Sequence, residues 1–123
     1  NGFGEGDRDK VRGWTSVAQA VAAQNRFEEA TTLRERELNL RTKHEGIDDN
    51  QTCDAVIALA RLHLKQSNDE AADTLLRDHD QQLRSEDHLD AAHALAESAA
   101  ALYEKRSRPE RAADWRERAA SEG

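Results

Sequence analysis

The sequence has no methionine, one cysteine, one proline and few aromatic residues, and each scarcity excludes something. A single cysteine, Cys53, rules out an intrachain disulfide and a thiolate zinc cage. It reads as a small apolar residue on a helix rather than as a reactive thiol. With aromatics at 4%, a core has to be built from Ala, Leu and Val, which suits close helix packing better than a sheet. No apolar run approaches the roughly eighteen residues of a membrane span. No signal-peptide pattern opens the chain. A membrane partner is therefore not expected, and the compartment reads as cytoplasmic. Positive charge is also in deficit: 25 acidic residues against 18 basic give a formal charge of −7. That argues against a surface tracking phosphates, so nucleic acid is not an expected partner. Lacking methionine even at residue 1, the chain reads as processed or as a piece of a longer protein.

What is present is charge, 35% of all residues, laid out with helical periodicity over a length suited to one domain. The turn Ser67-Asn68-Asp69-Glu70-Ala71-Ala72 aligns with Asn25-Arg26-Phe27-Glu28-Glu29-Ala30 before it and Ser107-Arg108-Pro109-Glu110-Arg111-Ala112 after it, at spacings of 42 and 40 residues. A two-helix repeat of that length reads as a solenoid, each unit burying its apolar face on its neighbours.

Residues 1–8, with three glycines in the first six, read as an arm or linker. Residues 9–123 read as the helical domain, with repeats over about 9–46, 51–86 and 89–121. Val11, Trp14, Val17, Ala18 and Val21 mark the first helix, which ends near Asn25. The second runs from about Phe27 to His44, and its charges Arg34, Glu35, Arg36 and Glu37 read as a solvated face. Gly46 stops it, and Asp49, Asn50 and Thr52 are candidate caps for the next helix. Helices over about 51–66, 69–84, 89–106 and 109–121 follow. Pro109 opens the last, where a missing N–H costs nothing.

The run Leu102 to Trp115 resembles a tetratricopeptide repeat, in which an apolar-aromatic pair closes the first helix and a small Ala follows the turn. Trp14 falls where that family often carries a tryptophan, and Ala30, Ala72 and Ala112 fall on its small crossing residue. The 42-residue spacing and the loop Glu45 to Thr52 look most like the longer repeat of kinesin light chains and of many bacterial repeat proteins. Departures are present: Asn25, Ser67 and Ser107 replace the turn glycine, and the proline closing the second helix is missing from all three repeats.

The resemblance implies an all-α, right-handed solenoid of about three helical hairpins whose first helices line a groove for a peptide or protein partner. Carried over by position, that groove takes Arg12, Thr15 and Gln19 from the first repeat and Asp54, Ile57, Arg61, Leu64 and Lys65 from the second. The third supplies Ala94, Glu97, Ala101, Glu104 and Lys105. Thr15 and Gln19 do not reproduce the lysine and asparagine clamp of chaperone-binding members, so a chaperone tail is not the expected ligand. Two further readings stand beside peptide binding. One is a C-terminal regulatory region of a larger bacterial signalling protein. The other is self-assembly through an open N-terminal face around Trp14, the last helix being capped by charge from Arg111 to Glu122.

Five histidines, His44, His63, His79, His88 and His93, raise the question of catalysis or metal binding. His63 and His79 read as core or boundary histidines. His88 and His93, five apart, point about 140° apart on one helix and do not converge on an ion. No phosphate loop, nucleophile motif or metal-ligand signature is present. Neither an enzyme activity nor a cofactor is expected.

Overall fold

The computed structural model describes residues 26–120, which form five helices: α1 (Phe27–Glu45), α2 (Asn50–Lys65), α3 (Asp69–Ser85), α4 (Leu89–Lys105) and α5 (Pro109–Ala120). The described residues are thus all-helical and contain no strand. The first expected helix, with Trp14, Arg12, Thr15 and Gln19, lies outside them, as does the arm with Phe3. Each remaining boundary falls within a residue of the expected one, because caps and turn residues mark it.

Three of the connections share one geometry. Ser67, Asp87 and Ser107, twenty residues apart, all adopt left-handed backbone, with φ of 59°, 63° and 60°. In each, the N–H of the following residue reaches back to a carbonyl in the last turn: Asn68 to His63, His88 to Leu83 and Arg108 to Tyr103, each at 2.8 Å. This is the Schellman closure, which satisfies carbonyls the helix end would leave orphaned. It places non-glycine residues where L-side chains pay about 1 kcal/mol of steric cost. The α1–α2 connection differs. Gly46 ends α1 at φ 94°, and the Asp49 carboxylate caps α2 by accepting the Gln51 N–H at 2.9 Å. Of the three candidate caps, Asp49 is the one used.

Each helix packs on its neighbour in sequence, and α2 also packs on α4. The crossing residues Ala30, Ala72 and Ala112 are all fully or almost fully buried, as expected for close helix approach. Around Ala72 and Ala112, Val56, Leu76, Leu83, Leu95, Tyr103 and Trp115 build one continuous core from α2 to α5, while Ala30 sits in a separate smaller cluster with Leu62 and Phe27.

Between α3 and α5 a ladder of polar contacts does the joining. Arg108 grips Asp69 through two guanidinium nitrogens, at 2.7 and 3.3 Å. Arg77 bridges Asp73 and Asp114. Asp80, only 1% exposed, accepts from Arg84 on its own helix and from Arg118 on α5. The rungs advance together along both helices, so α3 and α5 run in the same direction.

The solvated face expected on α1 needs correction at Arg34, whose side chain is only 13% exposed, and at Glu37. Glu37 is not part of a solvated face: it is 3% exposed, held between Arg34 at 2.9 Å and Arg41 at 3.1 Å. Burying a carboxylate costs several kcal/mol unless it is paired, and the two flanking arginines supply the pairing. Glu35 and Arg36 beside it are exposed as expected.

Candidate functional site

α2 and α4 lie side by side along an open trough. Its middle is lined by Asp54 and Ile57 of α2 and by Ala91, Ala94, Leu95 and Ser98 of α4, around a space of about 240 Å³. Beyond Ile57 and Ser98 it widens to about 620 Å³ between Arg61, Ala101, Leu102, Glu104 and Lys105. In the other direction, past Asn50, Ala91 and Ala94, it opens to about 440 Å³ beside Asp48, Asp87, His88, Leu89 and Asp90. Shared lining residues make the three spaces continuous. The pairing advances from Asn50 with Ala91, through Ile57 with Ser98, to Arg61 with Leu102, so α2 and α4 run in the same direction.

The floor is apolar where Ile57 and Leu95 join the core and the exposed Ala94 and Ala101 flank them, while the walls carry charge. Arg61 and Lys105 are exposed and make no hydrogen bond or ion pair with another described residue. Glu104 is tied to Arg116 of α5. At the far end His88 Nδ1 stands 3.6 Å from Asp48 and Nε2 stands 3.9 Å from Glu86. Leu89 is the one large apolar side chain exposed among the described residues.

Of the groove residues expected from the sequence, the structure brings Asp54, Ile57, Arg61, Ala94, Ala101, Glu104 and Lys105 together on this trough. Lys65 and Glu97 are exposed but lie outside its lining. Leu64 is a correction: at 5% exposure it belongs to the core with Val56 and Ala60. A step of three residues from Arg61 falls about 60° short of a full turn, whereas a step of four from Ala60 overshoots one by only about 40°. Leu64 therefore continues the buried stripe. The sequence reading also passed over Ser98, Leu102 and the Asp48, Asp87, Asp90 end. The signal available was register, since Ser98 and Leu102 stand 41 residues after Ile57 and Arg61.

Reactive chemistry is muted at this site. Burial, reinforced by Asp54, Asp48 and Asp49, pushes the Cys53 thiol up to about 11, leaving almost no thiolate near neutrality. His79 is buried and its Nε2–H donates to the Ile47 carbonyl at 2.9 Å, pinning the α1–α2 loop. Because a carbonyl only accepts, this contact fixes the tautomer. Desolvation lowers the His79 pKa, though the Ile47 contact and Asp80 oppose that shift. His63 is half-buried. No group of three or more His, Cys, Asp or Glu side chains among the described residues is placed to hold a metal ion. No helix among them is long and apolar enough to cross a membrane.

No protein-family model and no curated protein matches this chain.

Proposed function

We propose that the chain is a non-catalytic interaction scaffold, a solenoid of tetratricopeptide type that holds a peptide or protein segment in the trough between α2 and α4. The observation carrying this reading is the trough itself: an apolar stretch from Ile57 and Leu95 to Leu102 between two co-directed helices, with Arg61 and Lys105 exposed on its wall and without an ion pair to any described residue. Apolar surface able to exclude water beside an available charge is the combination that concentrates binding energy in a few residues. The co-directed pairs α2 with α4 and α3 with α5, joined by turns of one geometry, support the repeat reading. A partner segment carrying an acidic and an apolar side chain fits Arg61 and Ile57 together. The same reading places the protein in the cytoplasm.

The test is affinity capture with the wild-type chain, followed by binding measurements on Arg61→Glu and Arg36→Glu. Both residues are exposed, but only Arg61 lines the trough. Arg61→Glu weakens the captured complex at least about tenfold, or 1.4 kcal/mol, without changing the helical circular dichroism. Arg36→Glu on α1 leaves it nearly unchanged. Equal losses would show that net charge alone governs binding, and the trough would not be the site.

A further inference from the structure

The charges along the trough are not mixed at random. At the end where α2 and α4 begin stand Asp48, Asp87 and Asp90, and among the described residues lining that end His88, 3.6 Å from Asp48, is the one basic side chain. Asp87 and Asp90 are exposed and make no ion pair with a described residue. At the end where the two helices finish stand Arg61 and Lys105, and the one carboxylate there, Glu104, is occupied by Arg116. Acids near helix starts and bases near helix ends complement the helix dipoles. Because α2 and α4 run the same way, that local preference adds up across the pair, and the trough becomes acidic at one end and basic at the other.

Resting on the scaffold reading above, we propose that the trough recognises a segment of segregated charge. Its cationic end lies over Asp48, Asp87 and Asp90 and extends toward Asp54 one turn before Ile57, its apolar middle lies over Ile57, Ala94 and Leu95, and its anionic end lies against Arg61 and Lys105. A segment laid the other way sets like charges against like at both ends, so the same arrangement fixes the direction of the bound chain. Asn50 and Arg61 mark the two ends, eleven residues apart on α2, which is about 16 Å at 1.5 Å per residue. The ligand's opposite charges are therefore separated by about five residues if it is extended and about eleven if it is helical.

The experiment selects a random dodecapeptide library, displayed on phage, against three forms of the immobilised chain. These are the wild type, Arg61→Glu with Lys105→Glu, and Asp48→Lys with Asp90→Lys. All four positions are exposed, and circular dichroism checks that each form folds. Wild type returns peptides with Lys or Arg in one half, Asp or Glu in the other and apolar residues between. The first double variant binds those peptides at least about tenfold more weakly and returns peptides basic at both ends. The second returns peptides acidic at both ends. Wild-type selection of peptides without charge segregation, whose binding is still lost on Ile57→Asp, would overturn the polarity while leaving the trough as the binding site. No enrichment over a blank surface would overturn both.

Discussion

The indole N–H of Trp115 donates to Asp73 Oδ1 at 3.3 Å, joining two residues 42 apart in sequence. The Tyr103 hydroxyl donates to the same oxygen at 3.3 Å, while Arg77 and Arg111 pair with the other. Trp115 is fully buried, so its N–H has to find an acceptor, and the acceptor comes from the helix one hairpin earlier. Asp73 thus couples α3, α4 and α5. Trp115→Phe keeps most of the apolar volume but deletes a donor to a charged acceptor. It lowers stability by about 2 kcal/mol in urea unfolding. A change below about 0.5 kcal/mol would show that the contact does not hold the two helices together.

Acid weakens this network with a defined sign. Burial works against ionisation of Asp73, but the Arg77 hydrogen bond and charge, the Trp115 N–H and Arg111 outweigh it and hold the carboxyl below its ordinary 3.8. Asp69 is lowered likewise, first by its hydrogen bond from Arg108. The unfolded chain therefore takes up these protons first, and stability is lost as pH falls below about 4. His79, lowered by burial, adds an earlier loss beginning as pH falls below its ordinary 6.5. His79→Gln keeps an N–H donor for Ile47 and cannot titrate. Urea midpoints for this variant should fall less between pH 7 and pH 5 than those of the wild type. Parallel declines would contradict the role given to His79.

Ala72 has no exposed surface at the central helix crossing. Ala72→Leu inserts three heavy atoms where no room exists and destabilises by roughly 1–3 kcal/mol. An unchanged unfolding midpoint would mean that the crossing is looser than its burial indicates.

Helix number, helix bounds and the small crossing residues were legible in the described residues because each rests on local pattern. Ala30, Ala72 and Ala112 follow the repeat spacing, and Asp49, Ser67 and Pro109 mark ends by their own chemistry. Asp87 was read only as part of a short connection, although it takes the same left-handed backbone as Ser67 and Ser107. Glu37 and Leu64 were misplaced for a different reason. Whether a charged residue lies on a wet face, or which of two adjacent stripes a leucine joins, depends on the neighbouring helix. Arg34 and Arg41, at offsets of three and four on α1 itself, can pair with Glu37 as soon as the helix forms, but its burial comes only with packing. The acidic end of the trough escaped because Asp48 and Asp90 meet only through the stacking of α2 on α4.

Ser107, at φ 60°, stands where a glycine pays no steric cost. Ser107→Gly should stabilise by up to about 1 kcal/mol, the relief of left-handed strain exceeding the added freedom of the unfolded chain. Ser107→Val should destabilise. Thermal midpoints moving in the opposite order would contradict the turn geometry.

The most direct measurement of the binding site is a nuclear magnetic resonance titration of the isotopically labelled chain with its captured partner, following backbone amide shifts. Expected are shifts concentrated on Asp54 to Arg61 of α2 and Ala91 to Lys105 of α4, with the outer residues of α3 and α5 little changed. Shifts concentrated instead around Arg77, Asp114 and Arg118 would place the partner on the opposite side of the molecule and contradict the trough as its site.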